Sequence, residues 1–213
     1  MIQIAPSMLA ADFLRLEKDV EMVNANADLF HLDIMDGVFV PNISYGFPVV
    51  EAIAKIAVKP LDTHLMIVEP EKYVERFVKA GSAMVSFHWN ATKDPDAVLA
   101  QIRSYGAKAG LVINPDIPVE SLFPHLKNCD FVMLMSVFAG FGGQKFIEDT
   151  YARVAALKAE IDAQGLNIPI EVDGGVSAAN AAALVKAGAT ILVAGSAVFK
   201  AQDPSEVIAQ MRG

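Results

Sequence analysis

The feature that most constrains this chain is a regular alternation of short apolar runs with segments of helical period. Apolar runs fall at 2–5, 29–34, 61–66, 84–88, 108–113, 131–135, 168–172 and 190–194. Between them, 12–26, 70–80, 95–105, 147–164 and 178–187 place apolar residues on one helical face. Such runs, apolar throughout and bounded by Gly, Asp, Asn or Pro, suit strands buried on both faces of a parallel sheet. Punctuation agrees with the spacing. Pro70, Pro95 and Pro204 stand where helices would open, and Gly81, Gly106, Gly165 and Gly188 where helices would stop. Eight such units predict a single α/β domain over 1–213, a (β/α)8 TIM barrel. The rival is an open doubly wound sheet. Its usual GxGxxG fingerprint after the first strand is missing here.

Composition excludes several classes of function. The chain is 54% hydrophobic, yet no apolar run approaches the roughly 20 residues that span a bilayer. Its start, MIQIAPSML, has neither a basic region nor a long apolar stretch, so no signal peptide is expected. The single cysteine, Cys129, permits no intramolecular disulfide and suits a reducing cytoplasm. A net charge of -8, with Lys and Arg scattered, argues against nucleic acid. The expectation is a cytoplasmic α/β domain with no nucleic-acid or membrane partner.

Polar residues fall at the carboxyl ends of the expected strands, where a barrel keeps its working face. Ser7 follows the first strand, His31 and Asp33 alternate along the second, and His64 stands in the third. His88, Asn114 and Asp173 end or follow the fourth, fifth and seventh. Residues i and i+2 share a strand face, so His31 and Asp33 can point together into the barrel mouth. His31, Asp33, His64 and Asp173 thus form a candidate site for one divalent metal ion. Imidazole and carboxylate suit Zn²⁺, Fe²⁺, Mn²⁺ or Co²⁺, and the lack of thiolate argues against a structural zinc site. Any one of these histidines alone reads more readily as a hydrogen-bonded interior residue; their convergence carries the reading. His125, beside Pro124 in a helical and exposed-looking segment, is given no role. Separate glycine clusters follow strands six, seven and eight: Gly140-Phe141-Gly142-Gly143, Gly174-Gly175 and Gly195-Ser196. Glycine lets backbone N–H groups approach an anion closely, and barrels often bind phosphate after strands seven and eight.

The blocks HLDIMDGVFVPN (31–42), LDTHLMI (61–67), GFGGQKF (140–146), EVDGGV (171–176) and VAGSAVF (193–199) resemble the signatures of ribulose-phosphate 3-epimerases. The resemblance runs over essentially the whole chain. It implies an isomerase of the pentose phosphate pathway that interconverts D-ribulose 5-phosphate and D-xylulose 5-phosphate. By that resemblance His31, Asp33, His64 and Asp173 hold the metal, and Asp33 and Asp173 double as the acid/base pair. Ser7 and His64 contact substrate, and Gly140, Phe141, Gly142, Gly143, Gly174, Gly175, Gly195 and Ser196 bind it at the phosphate. Met35, Met66 and Met135 surround the reacting carbon, and a homo-oligomer is expected. Three alternatives stay open. A six-carbon ketose phosphate such as allulose 6-phosphate is one, and a non-catalytic sugar-phosphate-binding barrel is another. The third, a decarboxylase resembling orotidine-phosphate decarboxylase, would need Asp-x-Lys-x-x-Asp where this chain has His31-Leu32-Asp33-Ile34-Met35-Asp36. Two departures from the family pattern stand out. Asn90 replaces a usual Glu after the fourth strand, and Ala139 replaces a usual proline before GFGG. Loss of the proline predicts a looser loop, which Ala139→Pro would stiffen and stabilise.

Overall fold

A computed structural model describes residues 2–213. Eight strands alternate with helices: β1 (Gln3–Pro6), β2 (Phe30–Met35), β3 (Leu61–Met66), β4 (Ser82–His88), β5 (Lys108–Ile113), β6 (Phe131–Met135), β7 (Ile170–Asp173) and β8 (Ile191–Ala194). They pair in parallel in the order β1-β8-β7-β6-β5-β4-β3-β2. A parallel bridge between Ser7 and His31 brings β1 to β2 and nearly completes the circle. This is the expected barrel, with every strand within two residues of its apolar run.

The helices are α1 (Leu16–Asn26), α2 (Phe47–Ala54), α3 (Val74–Lys79), α4 (Pro95–Ser104), α5 (Thr150–Ala163), α6 (Ala178–Ala187), α7 (Ser196–Phe199) and α8 (Pro204–Arg212). Two expected helices open on separate 3-10 turns. Asp12 accepts the amide of Leu14 and caps the turn Phe13–Arg15 ahead of α1. Pro70–Lys72 likewise precedes α3. Gly81, Gly106, Gly165 and Gly188 all take positive φ where helices end, as their placement predicts. The segment holding His125 departs from expectation. It is a 3-10 helix, Val119–Asn128, with Pro124 inside it, where a missing N–H interrupts an α-helical ladder. His125 is half-buried rather than exposed: it accepts from Trp89 Nε1 and pairs through Nδ1 with Asp96.

The barrel interior is layered. Leu29, Met84, Phe131 and Ile191, with Ala5 and Val193, plug its amino-terminal half. Gly110 is needed there: a Cβ on it would lie 2.3 Å from the Phe131 ring. A larger apolar cluster fills the space between strands and helices. Above the plug the interior turns polar, and that step positions the site.

Candidate active site

A cavity of roughly 410 Å³ opens at the carboxyl ends of the strands. Its wall carries Ser7, Asp33 and Asp173 among Met35, Met66 and Met135. Gly140, Phe141, Gly142, Gly143, Gly174, Gly175, Gly195 and Ser196 complete one side, so all the residues expected at the phosphate share this space. Lys200, just past α7, is the only cationic side chain on the wall. It was not singled out by sequence analysis. His64, expected to touch substrate, has no surface on the cavity; it is fully buried, as is His31.

The four expected metal ligands come together. Asp33 Oδ1 lies 3.5 Å from His31 Nε2 and 3.4 Å from His64 Nδ1. Asp173 Oδ2 lies 3.8 Å from each of those nitrogens. Both nitrogens are buried without a hydrogen-bond partner among the described residues, an expensive condition unless something else satisfies them. Donors held about 2.1 Å from one ion in a tetrahedral array stand about 3.4 Å apart, close to the spacing here. The donor set and its orphaned nitrogens therefore fit a divalent metal.

The remaining ring nitrogens are held from behind. His31 Nδ1 is 2.7 Å from Asp62 Oδ2, and His64 Nε2 is 3.0 Å from His88 Nε2. Burial, and then His64, keep His88 well below the ordinary histidine range, so it is neutral and can accept from His64. Burial also works against charge on His31, but the carboxylates of Asp33 and Asp62 outweigh it and hold that imidazole well above its usual value. The two carboxylates facing the cavity are driven apart. Burial tends to raise Asp33, yet His31 and His64 hold it far below the usual range. Burial and the neighbouring Asp33 push Asp173 up to about 6. Asp33 is thus ionised across the ordinary pH range, while Asp173 keeps its proton into mild acid. Ser7 Oγ donates to Asp33 Oδ2 at 2.5 Å, and Ser44 Oγ donates to the Asp33 carbonyl at 2.6 Å. These bonds fix the Asp33 carboxylate and its backbone.

The glycine side of the cavity is tied down rather than loose. Asn42 Nδ2 donates to the Gly140 carbonyl at 2.8 Å, and Gln144 Nε2 bonds the carbonyls of Phe138 and Phe141. The amide of Ala139 donates to Asn114 Oδ1 at 3.1 Å. That bond restrains the loop that the sequence suggests is looser. A proline at 139 has no N–H and would orphan Asn114 Oδ1, so Ala139→Pro loses a bond where stabilisation was expected. Gly174 and Gly175 both take positive φ, and a Cβ on them would meet Val137 at 2.3 Å and Phe146 N at 2.7 Å. Packing requires glycine at this turn whatever the cavity binds.

Two buried acids, Asp62 and Glu171, were not singled out by sequence reading. The signal was present: each lies two residues before an expected ligand, hence on the same strand face.

Comparison with known proteins agrees with this geometry. The profile of the ribulose-phosphate 3 epimerase family matches residues 3–199. The chain is 49% identical to a ribulose-phosphate 3-epimerase of Synechocystis, over 99% of this chain and 93% of that protein. It is 43% identical to the enzyme of that name from Bacillus subtilis, over 100% of this chain and 99% of that one. Among solved structures, 3-hexulose-6-phosphate synthase from Salmonella typhimurium superposes with a TM-score of 0.74 at 14% identity, covering 99% of this chain and 96% of that one. That likeness shows the shared barrel only. With its strand-end histidines and aspartates, glycine turns and relatives matched over nearly their full length, the chain belongs to the ribulose-phosphate 3-epimerase family of isomerases.

Proposed function

We propose that the chain interconverts D-ribulose 5-phosphate and D-xylulose 5-phosphate, with residues 1–213 forming one catalytic domain. The supporting observation is the pair of carboxyls, Asp33 from β2 and Asp173 from β7, with opposite proton affinities on one cavity wall. Epimerisation beside a ketone removes a proton from one face of a carbon and returns one to the other. A single group cannot easily reach both faces of a planar enediolate, so two carboxyls are required. In this reading one aspartate takes the C3 proton and the other delivers its own to the opposite face. His31, His64, Asp33 and Asp173 would hold one divalent ion (Zn²⁺, Fe²⁺, Mn²⁺ or Co²⁺), which when bound supplies Lewis-acid stabilisation of the developing oxyanion. Met35, Met66 and Met135 keep water from the intermediate. Backbone amides of the glycine turns, with Ser196 and Lys200, receive the phosphate.

Conversion in heavy water tests the proton scheme. The product should carry solvent deuterium at C3, because the returning proton comes from a different carboxyl. Retention of the original hydrogen in most product molecules would mean one shuttling base. Running ribulose 5-phosphate and allulose 6-phosphate side by side decides the sugar length. The reading further places the enzyme in the cytoplasm as a homo-oligomer. Among the described residues no helix is long and apolar enough to cross a membrane. Exposed Leu14, Val38 and Ile43, on the loops after β1 and β2, offer apolar surface to a second copy.

Metal binding should strengthen as pH rises through about 6. Asp173 keeps its proton below that value, and His31 is also held in its charged form, so a cation must displace protons from both. Calorimetry in two buffers of different ionisation heat should detect proton release on binding. Equal affinity on both sides of that pH would contradict it.

A further inference from the structure

Beneath the four expected ligands lies a second acidic layer. Asp62 on β3 and Glu171 on β7 each sit two residues before an upper-layer residue, His64 and Asp173, and are fully buried. His31 Nδ1 lies 2.7 Å from Asp62 Oδ2 and 3.4 Å from Glu171 Oε1. Asp62 Oδ1 and both carboxyl oxygens of Glu171 have no hydrogen-bond partner among the described residues. Below them is the apolar plug of Leu29, Met84, Phe131 and Ile191. Among the described residues no lysine or arginine reaches this layer; their one buried arginine, Arg153, is on α5 and donates to backbone carbonyls.

Stability gives no reason for such an arrangement. Buried carboxyls lose hydration that His31 alone repays only in part, and replacing a whole buried ionic group by apolar residues of similar size is often neutral or stabilising. The geometry has a directional consequence instead. A carboxylate can only accept a hydrogen bond, so Asp62 holds the ring proton of His31 at Nδ1. That leaves Nε2 facing Asp33 and Asp173, with its lone pair free when a metal displaces any second proton. Glu171 Oε1 adds a second carboxyl oxygen 3.4 Å from the same nitrogen. We infer that Asp62 and Glu171 are positioning residues: a buried acidic floor that fixes the tautomer and tilt of His31 and so raises the affinity of the upper layer for its divalent ion. The inference rests on the metal reading of His31, His64, Asp33 and Asp173, and it places the cost of two buried acids in ligand orientation.

Cobalt(II) alone is the probe, titrated into metal-free protein and followed by its visible absorption, with thermal unfolding of the metal-free protein alongside. Asp62→Leu removes the acceptor and the charge; Asp62→Asn keeps an oxygen but not the charge. Asp62→Leu should weaken cobalt binding by about 10- to 100-fold and shift the absorption band, while the metal-free protein, which loses the acceptor of His31 Nδ1, unfolds at a lower temperature but stays folded at the titration temperature. Asp62→Asn should fall between that variant and the wild type. Glu171→Leu should weaken binding less than Asp62→Leu, since its oxygen is farther from Nδ1. A weakened affinity and a shifted band in protein that is still folded at the titration temperature are what a merely structural role would not produce. Cobalt affinity within twofold of wild type in the folded Asp62 variants would overturn the proposal. If the leucine variant does not fold, the asparagine variant decides alone. A wild-type protein that binds no cobalt would overturn the metal reading itself, and the floor with it.

Discussion

Asp173→Asn should lower kcat for epimerisation by on the order of 10³-fold or more, while the metal-free protein keeps its stability. General acid–base groups contribute about 10² to 10⁴ each, and on the proposed metal reading this substitution would also replace a charged ligand with a neutral one. The stability half follows from the direction of the shift. Burial and Asp33 raise Asp173 to about 6, so the stabilisation it gives is present in acid and fades as pH rises through that value. At about pH 7.5 its charge opposes Asp33, and an asparagine of the same shape removes that repulsion. Steady-state assays and thermal unfolding of one variant test both halves. Activity within tenfold of wild type would take Asp173 out of the chemistry. A large loss of stability would mean that the residue is chiefly structural.

Arg153 should show the largest purely structural effect. Its guanidinium, drawn inward from α5, donates to the carbonyls of Met135, Asn114 and Ile117 at 3.3, 2.9 and 3.0 Å. Those carbonyls belong to the ends of β5 and β6 and the turn between β5 and the next helix. Burial pulls the guanidinium below its usual value, with Asp149 and Asp116 acting in the other direction. Arg153→Met keeps much of the side-chain stem but removes every donor. An unsatisfied buried acceptor costs about 1–3 kcal/mol, so loss of three bonds should destabilise the protein by roughly 3 kcal/mol or more. The effect should also reach the cavity, because Asn114 carries the bond to the Ala139 amide. Denaturant titration measures the first effect, and a rise in KM larger than any fall in kcat measures the second. Unchanged stability would show that water replaces the lost donors.

Much of this protein was legible in its sequence. Strand and helix periods, prolines at helix starts and glycines at helix ends are local properties, and they favoured the eight-unit barrel over an open sheet. A barrel directs the carboxyl ends of its strands to one mouth, so His31, Asp33, His64 and Asp173 could be grouped from strand position alone. Local pattern is silent about partners across the barrel. Arg153 reads as a helix surface charge, yet it turns inward because strand-end carbonyls lie within its reach. Ala139 reads as a lost restraint, yet its amide is claimed by Asn114, distant in sequence. Asp62 and Glu171 sit in plain view within two motifs, but their burial against His31 depends on how β2, β3 and β7 come together. The sequence alone determined which residues face the barrel mouth, because the two-residue period of a strand is intrinsic to its backbone. Only the tertiary structure decided which nitrogen of each histidine is free and which acid holds the other, because that depends on strand register and barrel closure between segments far apart in the chain.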